Sequence, residues 1–422
     1  MHPFAARQTC STPVFLNSKA VHNVHVEKRV WGHATITTSH MGILDRIRGS
    51  LISGGSRRGG SVLGVDIGSS SIKVVQLRRE RGRAVLETYG EIALGPYSGT
   101  EVGRATNLQP QELAQALTDL ISEANVTASN AGVSVPFSAS LTSVIEMPSM
   151  SNDQLAHMIP LEARKYIPAN INEVTLDWFV IPEDPAKEEW SRARAETTTE
   201  KEKAQKTEVL LVAIHNEVLG NFQAITKRAG LNVGFYELEI FGVVRSSLAH
   251  GIAPVMMVDI GSATTKVYIV ERGIIRFSHL INLGSQDLTL GISRAFGWNF
   301  DRSERVKREQ GLLVREGVDG VQDKQVKEAL LSTLGRIFSD INRVLLSYEK
   351  KYGRNVSRVV LAGGGSSLLG LPEYASELVS VEVERSNPFQ RIQTPAFLED
   401  VLVEVGPEFA VAVGMALRRM QG

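Results

Sequence analysis

The strongest constraint on this chain is an internal repeat. The segment Asp66-Ile67-Gly68-Ser69-Ser70-Ser71-Ile72-Lys73-Val74 returns 193 residues later as Asp259-Ile260-Gly261-Ser262-Ala263-Thr264-Thr265-Lys266-Val267. Asp, Ile, Gly, Ser, Lys and Val coincide position by position. Each copy closes a short apolar run, VLGVDI or VMMVDI, and opens another, IKVVQL or KVYIVERG. Such runs, bounded by Gly and Ser, predict buried strands joined by a tight turn. The chain therefore predicts an α/β fold with two lobes, each led by one copy of the same strand–turn–strand unit.

The residue types in the turn suit phosphate. Gly lets backbone N–H groups converge on one point, which makes an anion nest. Ser and Thr hydroxyls add donors. An Asp at the strand end is acceptor-only, so it suits Mg²⁺ or a metal-bound water and not the phosphate itself. Facing hairpins would clamp two phosphates and a metal between the lobes. A single copy reads more economically as a β-hairpin turn; two copies with one spacing point to a ligand. A third glycine loop, Ala362-Gly363-Gly364-Gly365-Ser366-Ser367-Leu368, follows the strand-like RVVL. A strand-to-helix turn needs one Gly, and three predict close approach of a flat ligand to backbone.

Composition removes other classes. The 422 residues carry 46 Lys+Arg against 46 Asp+Glu, with 6% aromatics, so the basic footprint of a nucleic-acid binder is lacking. The single cysteine, Cys10, excludes a disulfide framework and a Cys-based zinc site. No apolar run approaches the ~20 residues of a membrane span, and no secretory signal is present. The expected setting is reducing and cytoplasmic.

Residues 1–40 hold five of the nine histidines (His2, His22, His25, His33, His40) and one acid, Glu27. Residues 1–60 read as a disordered extension and linker, with Met41 as a candidate start. Within 41–60, Ile43, Leu44, Ile47, Leu51 and Ile52 would line one face of a short amphipathic helix. Downstream, 110–125 has helical periodicity, with Leu113, Ala116, Leu117, Leu120 and Ile121 on one face. Ser151 and Gln154 form a capping box. The helix after them is expected to kink or restart at Pro160 and to run through LEARKYIP to Pro168. Residues 174–181 and 208–214 read as strands. The charged stretch 183–207 between them reads as a solvated, mobile insertion. Further helices are expected at 215–229, at 301–312, at 322–352 and in the closing PEFAVAVGMALRRM.

The three glycine motifs, in this order, resemble those of the actin-like ATPase superfamily: two phosphate loops and an adenosine loop. Finer marks resemble the type IV pilus assembly protein PilM family. They include LEARKYIP (161–168), AIHNEV, ELEIFGVVRS (237–246), INLGSQDLT (281–289), SERVK (303–307), AGGGSSLLGLPEY (362–374) and the NPF at Asn387-Pro388-Phe389. The resemblance covers about Met41 to the end, apart from the charged insertion. It implies an α/β, actin-like two-lobe ATPase fold of duplicated ribonuclease-H-like domains, with a small α+β subdomain inserted as in the division protein FtsA. The first lobe is expected at 61–135, completed by 232–256 and the C-terminal helix. The inserted subdomain is expected at 136–231 and the second lobe at 257–422.

The resemblance also implies roles. Asp66, Gly68, Ser69, Ser70 and Lys73 would hold phosphate and metal from the first lobe. Asp259, Gly261, Thr264 and Lys266 would do so from the second, with Asp66 and Asp259 on Mg²⁺ through water. Glu304 and Lys307, at i and i+3, would reach ribose and base; without the resemblance they read as a surface pair. Gly364, Gly365 and Ser366 would border the adenosine of ATP. Glu239, or its neighbour Glu237, would position the attacking water at the head of a helix.

The implied function is a cytoplasmic ATP-binding component of the pilus assembly machine, peripheral at the inner membrane. It would bind the N-terminal tail of the membrane protein PilN, contact other pilus proteins including the motor ATPase, and form homo-oligomers in some states; no nucleic acid is implied. The peptide groove is expected between the first lobe and the inserted subdomain, near Glu162, Arg164 and Lys165. The alternatives are a carbohydrate kinase, for which no sugar-directed base is evident, and FtsA itself. FtsA would need a membrane helix beyond Arg418-Arg419-Met420-Gln421-Gly422. A secretion-system relative fused to its membrane partner would need a transmembrane span. A scaffold that binds ATP without hydrolysing it is a further reading.

Overall fold

The computed structural model describes residues 60–182, 206–249, 251–315 and 320–420. The expectations for the N-terminal extension and for nearly all of the charged insertion lie outside the described residues.

Two five-stranded sheets repeat one plan. In the first, β1 (Ser61–Ile67), β2 (Ser71–Glu80), β3 (Arg83–Ala93), β4 (Asn130–Val135) and β8 (Asn232–Leu238) lie in the order β3-β2-β1-β4-β8. The second has β9 (Val255–Ile260), β10 (Thr265–Glu271), β11 (Ile274–Ile281), β12 (Arg358–Ala362) and β13 (Glu382–Arg385) in the order β11-β10-β9-β12-β13. Three antiparallel strands precede two parallel ones in both. The central strands are buried on both faces, hence their unbroken apolar runs. Both meanders turn at an Arg-Gly pair with positive φ throughout, 50° and 82° at Arg81-Gly82 and 52° and 80° at Arg272-Gly273. Such two-residue turns match the right-handed twist of the strands they join, and glycine carries the second position without strain.

A small third sheet, in the order β5-β7-β6, is antiparallel and comprises β5 (Ser140–Pro148), β6 (Val174–Val180) and β7 (Lys206–His215). Alternation along β7 decides how it sits. Val209, Leu211 and Ala213 face helix α2 (Asn152–Ala163) through Leu155 and Ile159. Leu210, Val212 and Ile214 join the core shared with β9 and β10. Helix α2 thus covers the sheet face turned from the lobes. Glu162, half-buried in its last turn, and the exposed Arg164 and Lys165 just beyond it lie at the C-terminal end of that helix, with Lys165 paired to Glu162 at 2.8 Å.

Helix boundaries differ from expectation in two places. The capping box of Ser151 and Gln154 forms, and α2 passes through Pro160 but ends at Ala163, not at Pro168. Pro160 frees only the carbonyl four residues back, on exposed Ala156, where water can serve it. The residues after Ala163 close in tight turns, Lys165 N–H on Glu162 O and Ile167 N–H on Ala163 O. The closing helix begins earlier than Pro407, at Glu399, and again tolerates its proline because Val403 is exposed.

The first lobe gains α1 (Pro110–Glu123) and α3 (Asn216–Arg228). Phe222 and Ile225 of α3 join the first sheet's core beside Leu117 and Leu120. The stretch that packs as the small sheet and α2 therefore ends near His215, and α3 belongs by its packing to the first lobe. The second lobe carries α5 (Ser285–Phe296), α6 (Phe300–Gln310), α7 (Gly320–Tyr352) and α8 (Leu371–Leu378). Between the sheets lie α4 (Glu239–Ser247) and α9 (Glu399–Met420), the latter buried almost continuously from Phe409 to Leu417. These two helices pack backbone to backbone: a Cβ on Gly414 would stand 2.0 Å from the Gly242 carbonyl oxygen. Among the described residues no helix is long and apolar enough to cross a membrane.

Candidate functional site

The two repeated turns form the same way. Gly68 N–H donates to Ser71 O at 3.0 Å, and Gly261 N–H donates to Thr264 O at 2.9 Å. Each leaves its Gly and Ser residues partly exposed above a buried strand end. Asp66, next to last in β1, accepts the Ser134 hydroxyl at 2.7 Å, a contact from β4 that no motif announces. Burial pushes its carboxyl up; Lys73 and Ser134 pull it back in part. Lys266 and Asp259 of the other lobe also act on Asp66, so the two turns converge on one cleft.

The two lysines take different partners. Asp66 faces Lys73 across β1–β2, and Asp259 faces Lys266 across β9–β10. On its other side Lys73 faces Glu91 of β3, whereas Lys266 faces Leu280 of β11. Lys73 therefore pairs with Glu91 at 2.9 Å and donates to Ser71 Oγ at 2.6 Å. Lys266, with no acid on β11, turns to Glu239 Oε2 at 3.0 Å and Asp259 Oδ2 at 3.4 Å. Burial works against its charge, but Asp259 and Glu239 outweigh it and hold the ammonium firmly protonated.

Of the two candidate helix-head acids, Glu237 is committed to structure. Arg245 clamps it with two bonds of 2.8 Å, and Arg418 approaches to 2.9 Å. Glu239, the first residue of α4, looks into the cleft instead. Its Oε1 accepts Phe137 N–H at 2.7 Å and its Oε2 meets Lys266. Burial pushes Glu239 up, against the pull of Lys266.

Glu304 and Lys307 prove to be a buried pair on α6, 2.7 Å apart, and not a surface one. Glu304 also accepts Thr289 Oγ1 at 2.6 Å and Arg308 Nε at 2.6 Å; Lys307 donates to Ser285 Oγ at 2.8 Å. Burial opposes ionisation of Glu304, yet Lys307 and Arg308 prevail and hold it near 2.

A first-lobe segment crosses this face of the second lobe. Thr106 N–H donates to Ser69 O at 2.8 Å, tying the segment to the first turn. Gly103 O then accepts the Ser262 hydroxyl of the second turn at 3.1 Å, and Ala105 N–H donates to Gln286 Oε1 at 3.2 Å. The Gly103 Cα lies against Glu304, where a Cβ would come within 3.1 Å of its carboxyl. Arg104 stacks 4.9 Å over the Phe300 ring. Residues 101–106 are thus a strap between the two turns, which sequence reasoning missed.

The third loop lies beside the second turn. Its glycines answer mainly to packing: a Cβ on Gly363 would sit 2.3 Å from Asp259 Oδ1, and one on Gly365 would sit 2.3 Å from Ile260 Cγ2. Ser366 is buried and donates to Gly363 O at 2.7 Å. Only Gly364 is open, next to Glu408 of α9. Glu408 is pushed up to about 7 by burial and by Glu91, against Lys73 and Arg308. A cavity of about 150 Å³ lined by Thr142, Phe277 and Lys351 lies apart from this cleft, between β5 and β11.

Asp66, Asp259 and Glu239 bring three carboxylates to the cleft, with Lys266 between Asp259 and Glu239 and Lys73 acting on Asp66. Asp259 Oδ2 is buried without a hydrogen-bond partner. Carboxylate oxygens are the donors a hard divalent ion prefers, but among the described residues no three acids stand close enough to ligate one ion directly, so Asp66 and Asp259 could serve it only through bound water.

Similarity to known proteins agrees with this architecture. The solved PilM-PilN type IV pilus biogenesis complex matches with a TM-score of 0.69 at 23% identity, covering 85% of this chain and 98% of that one. Cell division protein FtsA of Agrobacterium fabrum is 25% identical over 234 residues, 49% of this chain and 50% of its own. FtsA of Rhizobium meliloti is 26% identical over 239 residues, 50% of this chain and 52% of its own. The chain spans about half the length of these FtsA relatives. The fold is the actin-like two-lobe fold with a small FtsA-like inserted sheet. Residues 64–420 match the family described as type IV pilus assembly protein PilM, and the chain belongs to that family.

Proposed function

We propose that the cleft binds ATP and that this protein, a member of a pilus assembly family, carries the nucleotide state to a peptide of the pilus machine. The observation that supports the nucleotide most is the in-register repeat, Asp66 opposite Lys73 and Asp259 opposite Lys266, with both aspartates directed to one cleft. In this reading the turns at Gly68–Ser70 and Gly261–Thr264 present backbone amides and hydroxyls to the phosphates. Asp66 and Asp259 would hold Mg²⁺ through water, and the ion would neutralise phosphate charge. Glu304 and Lys307 lie on the ribose and base side, and Gly364 borders the adenosine. The strap bridges the two turns, and in this reading its bond to Ser262 must loosen when a phosphate claims that hydroxyl.

Turnover in this reading is at most weak. Water activation asks for a free carboxylate, and Glu239 is held by Lys266 and by Phe137 N–H. Lys266 would have to move before Glu239 could orient water.

The partner in this reading is the N-terminal cytoplasmic tail of PilN, as the matched complex and the family suggest. The tail would enter between the first lobe and the inserted sheet. The protein would then work on the cytoplasmic side, peripheral at the inner membrane through PilN, within reach of the motor ATPase and of further copies of itself. Lobe closure would link the two ligands, so each must change the affinity of the other by the same factor. Calorimetric titration with a PilN N-terminal peptide, with and without Mg-ATP, tests this. Saturable binding whose affinity changes with ATP supports the coupled reading. Equal affinity in both sinks the coupling, and absent peptide binding with ATP still bound sinks the adaptor role.

A further inference from the structure

The Lys266 ammonium occupies a place with no equivalent in the first lobe. It is buried 3.0 Å from Glu239 Oε2 and 3.4 Å from Asp259 Oδ2, and it lies against the second turn, where a Cβ on Gly261 would come within 3.4 Å of Nζ. Asp66 faces it from the other lobe. Three carboxylates thus surround one fixed positive charge. Among the described residues no three acidic or histidine side chains are spaced to ligate a common metal ion. Glu239 and Asp259 are drawn to Nζ, while Asp66 holds the Ser134 hydroxyl.

We propose that Lys266 is a tethered cation that stands between Asp259 and Glu239, beside the place a divalent ion served by Asp259 would take, so that the nucleotide-free cleft excludes magnesium. The cross-strand neighbour explains how the lysine comes to do this. In the first lobe Glu91 draws Lys73 aside; in the second the same register position is Leu280. A like charge a few ångströms away repels an incoming divalent ion strongly in a buried site. Metal can enter only when something displaces the ammonium, and an arriving phosphate, an anion able to take over that charge, is suited to do so. The proposal goes beyond the nucleotide reading, and its test needs no nucleotide.

The test is titration of the nucleotide-free full chain with Mn²⁺, followed by the electron paramagnetic resonance of the free ion. Wild type is expected to bind Mn²⁺ only weakly at this site. Lys266→Met removes the competing charge, and Leu280→Glu gives Lys266 an alternative partner while keeping its charge. Both are expected to bind one Mn²⁺ at least about tenfold more tightly than wild type. Melting of Lys266→Met is expected to become Mg²⁺-dependent, while that of wild type is not. A wild-type site as tight as that of the variants overturns the proposal. So does a folded Leu280→Glu protein that binds Mn²⁺ no better than wild type, an outcome that stands even if Lys266→Met fails to fold. Parallel titration with ADP in EDTA separates the two readings: absent ADP binding counts against the nucleotide alone, and the Mn²⁺ result still decides the role of Lys266.

Discussion

Lys73 and Lys266 hold the same register position in two copies of one hairpin, yet their ammonium groups turn to opposite sides. Each faces an aspartate on one neighbouring strand, and the other neighbour differs, Glu91 for Lys73 and Leu280 for Lys266. One cross-strand side chain thus decides whether the lysine pairs along its own sheet with Glu91 or reaches Glu239 at the head of α4. Glu91→Leu should make the first lobe resemble the second. Lys73 would lose a 2.9 Å partner that is partly open to solvent, at a cost of about 2 kcal/mol, below the range for fully buried pairs. Urea unfolding checks the value; an unchanged midpoint would show that Lys73 finds another acid at no cost.

The two helix-head glutamates should separate cleanly. Glu237→Gln leaves Arg245 and Arg418 facing a neutral amide in a buried site, which should cost about 3 kcal/mol while ATP affinity stays unchanged. Glu239→Gln keeps the acceptor for Phe137 N–H but weakens the bond to Lys266, costing about 1 kcal/mol. Any residual ATP turnover should disappear with it. Denaturant midpoints and phosphate release on the same two proteins decide this, and the assignment fails if Glu237→Gln is the one that abolishes turnover.

The strap offers a kinetic prediction. Its second-lobe bonds run from Ser262 Oγ to Gly103 O and from Ala105 N–H to Gln286 Oε1. Each such bond is worth on the order of 1 kcal/mol, so Gln286→Ala should speed dissociation of a fluorescent ADP about fivefold. Thr106→Val, which removes the hydroxyl bond to Ser69 O, should act in the same direction. Stopped-flow displacement measures both. Unchanged off-rates would mean that the strap does not span the exit path.

Much of this was legible in the chain and some was not, for identifiable reasons. The repeat Asp66–Val74 and Asp259–Val267 foretold both hairpins, because a tight turn between buried strands is written in adjacent residues. The strap was invisible: Gly103 and Ser262 are 159 positions apart, Ala105 and Gln286 are 181 apart, and neither pair carries a local pattern. The three glycines of the third loop were read as room for a ligand, yet Gly363 and Gly365 are needed because Asp259 and Ile260 lie against them. Composition alone cannot tell a ligand from a neighbouring strand. The start at Glu399 was not legible because a proline such as Pro407, whose freed carbonyl on Val403 is exposed, costs less than one whose carbonyl is buried; the end at Ala163 rests on turn bonds of Lys165 and Ile167 that no residue pattern announces. Helix α3 was grouped with the inserted sheet by chain order, whereas Phe222 and Ile225 follow the first lobe's core.

The contact between α4 and α9 should be the least forgiving in the fold. A Cβ on Gly414 would stand 2.0 Å from the Gly242 oxygen and 2.4 Å from its carbonyl carbon, both backbone atoms that cannot swing aside. Gly414→Ala should therefore cost about 3 kcal/mol by forcing the helices apart. Gly335→Ala, where nothing lies within 4 Å on the exposed side of α7, should stabilise by about 1 kcal/mol. Thermal unfolding of the pair tests the packing argument, which fails if the two substitutions have equal effects.

Glu408 makes the last prediction, a dependence on pH. It lies on α9 beside Gly364 and is pushed up to about 7 by burial first and by Glu91 second, with Lys73 and Arg308 opposing. An acid raised in the folded state binds its proton more tightly there than in the unfolded chain. Its contribution to stability is fully present below its unfolded value near 4.5 and is lost as pH rises through 7. Between pH 5 and 8 wild type should lose on the order of 2 kcal/mol from this group alone. Glu408→Gln mimics the protonated form at every pH, so it should flatten that slope and be the more stable protein at pH 8. Glu304, held near 2, acts with the opposite sign: its contribution is present above its unfolded value near 4.5 and is lost only as pH falls toward 2. It therefore adds no slope between pH 5 and 8. Urea midpoints of wild type and Glu408→Gln at half-unit steps from pH 5 to 8 make the comparison. Parallel curves would mean that Glu91 and Glu408 are both ionised in the folded protein, with Lys73 and Arg308 sufficient to carry them.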